Sequence, residues 1–422
     1  MKNDKLDMII FGATGFTGRY VIREAARLAK EKEFNFAVAG RRKEALESAV
    51  KVYAPDIENV PIIIADIKDE ESIKKMVERA RVLINCCGPF VYYGEPIIKA
   101  CIAAKAHYVD VTGETLFIEE MELKYNKAAQ DAGIYIINAC GFDSVPADLG
   151  LVFTQQKFGG EINSAEVYFS ISSTENLKKP MLNFATFESF IYGMNSMNKI
   201  RDIRKKLFSK KLPDLKPKLK FKGWLPHRCA FTNNWSILFP SADRAIMYRS
   251  QRYFFENYKQ RPVQIYTYMS LPFLLYLLLL IFIFINFILL QFSYGRSLLL
   301  KYPELFTWGI VSHEEPSEET LNKLEMSLTF LAHGWTEKLS EPSDVHSDLP
   351  NKEMVTKVTC VNPYNVTAII VILCALTIFK ESDKMPESGG VLSTGAAFSK
   401  TSLIDELSKE CIKFEVVSSI EK

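Results

Sequence analysis

The sequence predicts an α/β protein in which residues 1–150 form a doubly wound parallel sheet with a dinucleotide site at the carboxyl ends of its strands. Three observations carry this. Residues 8–11 are an apolar strand running into Gly12-x-x-Gly15-x-x-Gly18, and residues 19–30 continue as a helix. Six short apolar runs alternate with amphipathic helices, the pattern of strands buried on both faces. Further along, residues 271–290 hold no charge, which adds a segment that demands lipid or complete burial.

The elements follow in order. The glycines let the first turn close tightly and bring backbone near a pyrophosphate, which then sits at the positive end of the next helix. Gly12, Thr14, Gly15, Phe16, Thr17 and Gly18 are the candidates for that contact; an ordinary strand-to-helix turn is the alternative. Residues 36–40 form the second strand and end in Arg41-Arg42, with no carboxylate at the tip. A carboxylate there bonds a ribose 2′-hydroxyl, whereas two guanidiniums offer forked donors to a 2′-phosphate. The expected cofactor is NADP(H), unless both arginines simply open the next helix as solvated charges. Residues 60–66 read as a third strand, and residues 82–88 as a fourth that Pro89 and Phe90 end abruptly. Helix 95–105 leads to a strand at 108–111, and helix 117–132 to one at 134–138. Ligands of such sheets bind beyond the carboxyl strand ends. Asp66, residues 86–90, residues 110–114 and residues 141–146 all fall there.

The ordered motifs are Gly12-Ala13-Thr14-Gly15-Phe16-Thr17-Gly18, Ala39-Gly40-Arg41-Arg42, Asn85-Cys86-Cys87-Gly88-Pro89-Phe90 with Tyr93-Gly94, and Tyr108-Val109-Asp110-Val111-Thr112-Gly113-Glu114. Gly141-Phe142-Asp143-Ser144-Val145-Pro146 and the tail from Gly389 to Glu415 extend the set. Over nearly its whole length the chain resembles the saccharopine dehydrogenase-like oxidoreductases, a family close to saccharopine reductases and bacterial trans-acting enoyl reductases. The resemblance implies a Rossmann-type doubly wound parallel sheet with an inserted α+β domain, and nicotinamide chemistry in the cleft between them. The expected bounds are 1–150 for the NADP-binding domain, 151–385 for the inserted domain and 386–422 for a segment returning to the core.

Composition fits two large folded domains: 422 residues, 48% hydrophobic. A net charge of +2 argues against nucleic acid as a partner. Eight cysteines lack paired Cys-x-x-Cys spacing and no cleavable signal opens the chain, so reduced thiols are expected. Five scattered histidines give no metal site.

Two features point to lipid. A helix over residues 271–290 is about 30 Å long. Basic residues flank it on both sides, Arg244, Arg249, Arg252, Lys259 and Arg261 before and Arg296 and Lys301 after. A full crossing would separate residues 293–422 from the first domain, so residues 270–292 are expected to dip into or lie on a lipid monolayer or membrane. Both flanks then stay cytosolic, and lipid-droplet association occurs among animal members of the family the chain resembles. Residues 199–222 carry eleven Lys or Arg and include Pro213 and Pro217. They read as a mobile basic loop that attracts anionic headgroups at about 1 kcal/mol per charge, the alternative being a solvated loop.

For catalysis, none of the eighteen tyrosines has Lys at the fourth following position, which excludes the Tyr/Lys mechanism of short-chain dehydrogenases. Among relatives of this kind the protein chiefly aligns the nicotinamide with its acceptor. The catalytic candidates are Tyr108, Asp110 and Asp143, with Glu114 and Ser144 nearby in sequence; a capping or turn role is the alternative for both aspartates. Cys87, Gly88, Pro89 and Phe90 are expected to line the nicotinamide pocket, and Asp66 to bond the adenine amino group. The chain departs from its relatives at residues 360–365, which lack a glycine-rich acidic turn, and at Ala185, where relatives have Gly. Both lie on the substrate side. Two readings result: an NADP(H)-dependent oxidoreductase acting on a small-molecule or lipid substrate, or an inactive lipid-droplet protein on the same fold. A homodimer is left open.

Overall fold

The computed structural model describes every residue except 1–4, 174, 176, 196, 223–225, 230, 232, 233, 240, 411 and 422. Its first strands are β1 (Leu6–Phe11), β2 (Phe36–Gly40), β3 (Ile62–Ile64), β4 (Ala80–Asn85), β5 (His107–Asp110), β6 (Tyr135–Ile137) and β7 (Glu161–Ser172). They are followed by β8 (His227–Arg228), β9 (Trp235–Leu238), β10 (Gln264–Leu271), β11 (Glu325–Trp335), β12 (Lys352–Val361), β13 (Gly390–Leu392) and β14 (Ile412–Glu421).

Two compact units emerge from the contacts. The first holds Met1–Phe142, Ser196–Leu207 and Tyr364–Glu410. Its sheet runs β13-β6-β5-β4-β1-β2-β3, every neighbouring pair parallel. Met8, Ile9 and Ile10 of β1 and Val82, Leu83 and Ile84 of β4 are wholly buried, because helices cover both faces of a parallel sheet. The chain winds outward from β1 through β2 to β3, then returns to the other side of β1 as β4. That reversal opens a crevice beyond the ends of β1 and β4, where such folds take their ligand. The Rossmann-type sheet foreseen from the sequence is present, with β13 as a seventh strand contributed by the tail.

The second unit holds Asp143–Asn195, Phe208–Pro363 and Cys411–Lys422. Its sheet runs β14-β12-β11-β7-β10-β9-β8 and is antiparallel except for β7 with β10. Helix Val145–Phe158 packs on one face of this sheet. There Gly150 leaves room for the Phe330 ring, since a Cβ would come within 2.5 Å of it. A small helical cluster with Phe187, Ile191, Leu290, Leu299 and Val311 at its centre seats helix Phe273–Leu290.

These bounds differ from the sequence expectation in three places. Residues 143–150 go with the second sheet, because helix Val145–Phe158 needs that sheet to bury its many apolar positions. Helix Pro363–Lys380, apolar nearly all round, lies almost wholly in the first unit. Residues 199–207, expected in a loop, belong to helix Met197–Leu207. Both prolines of the basic stretch lie beyond this helix, so nothing breaks it, and Arg204 anchors it to the first unit.

Candidate nucleotide-binding site

The site is built on the turn after β1. Gly12 has φ of +80°, a conformation open to glycine, and a Cβ there would meet Cys87 Sγ at 2.6 Å. A Cβ on Gly18 would lie 2.3 Å from the Gly12 carbonyl oxygen. The Gly15 N–H donates to that same oxygen at 3.0 Å. The turn is therefore as tight as backbone allows, and it lies against the end of β4. Helix Phe16–Lys32 starts at Gly15 with no side-chain cap and no acid in its first turn. Its free N–H groups and positive end suit an anion.

Arg41 and Arg42 stand exposed at the tip of β2, and neither side chain has an ion pair or hydrogen bond among the described residues. Arg42 also opens helix Lys43–Tyr53. Asp66, half-buried beyond β3, accepts the Lys68 N–H at 3.0 Å. Thr14, Phe16 and Thr17 are half-buried, as are Cys87 and Pro89, while Gly88 is exposed. Burial pushes the Cys87 thiol up to about 12, against the opposing pull of Arg41. The thiol is thus a neutral wall of the cradle. Phe90 differs from expectation: its ring is buried 6.0 Å from Phe117 in the sheet's core, so only its backbone borders the loop. Sequence position alone placed it at the strand end, but helix Phe90–Ala104 turns the ring inward.

Behind this loop lies a buried polar network. Tyr108 Oη donates to Asp110 Oδ2 at 2.9 Å and accepts from Asn85 Nδ2 at 3.0 Å. Asp110 further accepts from Asn138 Nδ2 at 2.7 Å and from the backbone N–H groups of Ala139 and Thr112, at 2.8 and 3.1 Å. Tyr108 and Asp110 have no exposed surface. Burial raises the Asp110 carboxyl to about 6, while its donors pull the other way, and burial raises the Tyr108 phenol well above its ordinary value. Ala139, at φ of +61°, is held in the left-handed region by its bond to Asp110. Glu114 accepts the N–H groups of Phe90 and Val91 at 2.9 and 2.7 Å, capping the helix that leaves β4.

The expected residues thus divide. The glycine turn, Arg41, Arg42, Asp66 and the 87–89 loop border the strand ends. Tyr108 and Asp110 lie inside, bonded to one another and to the ends of the two adjoining strands, β4 and β6. Asp143 is exposed and belongs to the second unit, beside Ser144, whose buried hydroxyl has no hydrogen-bond partner among the described residues. Asn85 and Asn138 were not foreseen; their signal was a polar residue closing an otherwise apolar strand. Among the described residues no group of His, Cys, Asp or Glu could hold a metal. All seven cysteines described are free thiols, Cys411 lying outside the described residues.

Comparison with known proteins agrees with this geometry. The family model of the saccharopine dehydrogenase NADP binding domain matches residues 8–137. A human saccharopine dehydrogenase-like oxidoreductase is 37% identical over 98% of each chain. A Caenorhabditis elegans protein named lipid droplet localized protein is 31% identical over 98% of this chain and 99% of its own. Among solved structures, apo saccharopine dehydrogenase (L-Glu forming) from Saccharomyces cerevisiae superposes with a TM-score of 0.54 at 14% identity, covering 97% of this chain and 99% of that one, a likeness of fold. The cradle fits the dinucleotide that the family model specifies: tight glycines, an uncapped helix start and a pair of unengaged arginines. The chain belongs to the saccharopine dehydrogenase-like oxidoreductase family, and its Rossmann unit is an NADP(H)-binding domain.

Proposed function

We propose that this chain is an NADP(H)-dependent oxidoreductase working from a lipid droplet or the cytosolic face of a membrane, on an apolar or lipid-linked substrate. The observation that carries the reading is helix Phe273–Leu290, uncharged and only 17% buried, in a chain that also holds a nucleotide cradle. Tyr276, Asn286 and Leu290 of this helix are buried, while Leu274, Phe284 and Phe287 are each at least 65% exposed. One face is therefore occupied by protein and the other is free, which suits a helix lying in a monolayer better than one crossing a bilayer. Each large side chain withdrawn from water contributes about 1–2 kcal/mol, so a handful gives firm attachment. Lys199, Arg201, Lys206, Lys210, Lys211, Lys216 and Lys220 are exposed without ion-pair partners among the described residues, and can add attraction to anionic headgroups. The name of the worm relative supports the same location.

In the cradle, the N–H groups at the start of helix Phe16–Lys32 take the pyrophosphate, Arg41 and Arg42 the 2′-phosphate, and Asp66 the adenine edge. When bound, NADP(H) supplies or accepts a hydride. Tyr108, Asp110, Asn85 and Asn138 act as positioning residues, tying the ends of β4, β5 and β6 together. Glu114 fixes the start of the helix after the 87–89 loop, whose small residues allow close approach. A second reading, nucleotide binding without turnover, draws on one observation: Tyr108 and Asp110 are engaged internally and neither is exposed to a substrate.

Calorimetry with NADPH and NADH, followed by NADPH consumption on droplets loaded with a lipid extract, tests the proposal. NADPH is expected to bind at least tenfold tighter than NADH, a preference worth about 1.4 kcal/mol, and Arg41→Ala to abolish most of the difference. Lipid-dependent consumption supports the enzyme. Binding without consumption across lipid classes moves the conclusion to the second reading, and no binding of either nucleotide overturns both.

A further inference from the structure

The side chains of a strand alternate between the faces of its sheet. In β7, Val167 lies beside Phe330 on the face packed by helix Val145–Phe158, so Glu166 and Tyr168 point to the other face. Residues 215–222 pass over that second face. Gln264 Nε2 and Asn163 Nδ2 each donate to the Pro217 carbonyl at 2.9 Å, and the Leu219 N–H donates to Gln264 Oε1 at 3.0 Å. The strap ends at Lys222, whose ammonium enters a cage. Nζ lies 2.8 Å from Glu166 Oε1 and donates to Glu166 Oε2 and to Tyr168 Oη, both at 2.9 Å. It sits 5.6 Å from the centre of the Tyr168 ring and 6.0 Å from that of Tyr268. The two rings stack at 5.2 Å, and His227 meets Tyr268 edge-on at 4.7 Å. Both tyrosines are fully buried and Glu166 is 7% exposed, yet the Lys222 side chain that reaches them is 37% exposed.

The cage is built on the sheet, whereas its occupant is brought by a strap. A buried carboxylate beside the hydroxyl of a buried tyrosine needs a cation as its ion-pair partner. Two of the oxygens around Nζ, Glu166 Oε2 and Tyr168 Oη, take hydrogen bonds from it, and Glu166 Oε1 lies within reach of a third donor, a set that suits a primary ammonium. A quaternary ammonium has no donors to offer them and would leave Glu166 without hydrogen bonds. We propose that this cage binds a primary alkylammonium ligand of the ethanolamine type, and that Lys222 closes it as a tethered substitute which the ligand displaces. Free amine and lipid headgroup share this chemistry. The proposal is independent of nucleotide chemistry, since every residue in it belongs to the second unit.

Hydrogen exchange of residues 215–222 in the intact wild-type chain is the test, because displacement of Lys222 frees the strap beyond Leu219, whose own amide stays bonded to Gln264 and serves as the internal reference. The arms are soluble phosphoethanolamine, phosphocholine, phosphatidylcholine vesicles, and the same vesicles containing phosphatidylethanolamine. Exchange about tenfold faster with phosphoethanolamine, and unchanged with phosphocholine, supports a free amine ligand. Acceleration by the phosphatidylethanolamine vesicles alone supports a headgroup. No acceleration in any arm, or equal acceleration by the choline compounds, overturns the proposal. As a second measurement, Lys222→Ala is expected to bind ethanolamine by calorimetry at least about tenfold tighter than choline, and Glu166→Gln in that background to remove the binding. A folded Lys222→Ala chain that binds neither amine contradicts the cage. Should that variant fail to fold, the wild-type exchange result decides.

Discussion

Two helices of this chain have the same length, 18 residues, and both are apolar enough to cross a membrane, yet their surroundings differ completely. Helix Pro363–Lys380 is 72% buried over that length, and helix Phe273–Leu290 is 17% buried. Composition favours the second, with a mean hydropathy of 3.0 against 1.7, but it is packing that separates them. Ile370, Val371, Ile372, Cys374 and Ala375 of the first are completely enclosed in the Rossmann unit. Its apolar surface is satisfied by protein. The second turns Tyr276, Asn286 and Leu290 inward and leaves leucine and phenylalanine in the open, an apolar surface of the kind that marks an interaction site. One helix fills the core of its unit, and the other is the surface proposed to meet lipid.

The largest expected effect comes from exchanging those needs. Ile370→Asp places an unpaired carboxylate in the core and should cost at least about 4 kcal/mol, unfolding the nucleotide unit in thermal and circular-dichroism assays. A folded, NADPH-binding Ile370→Asp protein would break the contrast. Next, replacing Leu274, Phe284 and Phe287 together by Ser should lower partition onto droplets about a hundredfold, some 3 kcal/mol, as read by flotation. The thermal midpoint should stay nearly the same.

The contrast sharpens within the Rossmann unit, where polar groups are also buried. Asp110 has a folded-state carboxyl raised to about 6 by burial, against about 4 unfolded. A raised acid favours folding fully below its unfolded value and loses that contribution as pH rises through the folded one. Asp110→Asn removes the titration while crowding a second amide against four donors. The stability advantage of wild type over this variant should therefore shrink by up to about 3 kcal/mol between pH 4 and pH 7, measured by urea denaturation. A constant difference across that range would refute the assignment. Smaller still, Gly18→Ala forces a Cβ to 2.3 Å from the Gly12 carbonyl. It should weaken NADPH about thirtyfold, about 2 kcal/mol, with little effect on droplet binding.

Much of the nucleotide site was readable in the residues themselves. Gly12 and Gly18 reveal a turn because no other residue fits, and apolar runs reveal a parallel sheet because both faces are covered. The departures share a cause, which is contact between distant positions. Phe90 turns into the core because Phe117 waits there. Helix Met197–Leu207 is polar enough to pass for a loop, and Arg204 holds it by a forked pair with the buried Glu119 of helix Thr115–Ala132, at 2.7 to 3.0 Å. The expected domain edge at 385 missed that a tail helix can fill the first unit's core while β14 completes the second unit's sheet. Asn85 and Asn138 matter only through Tyr108 and Asp110, residues far from them in sequence. Lys222 belongs with Glu166, Tyr168 and Tyr268, a set that no local pattern assembles.

The proposed function divides the labour between a cradle for NADP(H) and an exposed helix for lipid. The most direct measurement is paired: flotation with phospholipid-coated triglyceride droplets and NADPH calorimetry, on wild type and on the Leu274→Ser, Phe284→Ser, Phe287→Ser protein. The account predicts wild type on the droplets, the variant in solution, and the same NADPH affinity for both. A variant that still floats, or that leaves the droplets only by losing its fold and its nucleotide affinity, would contradict it.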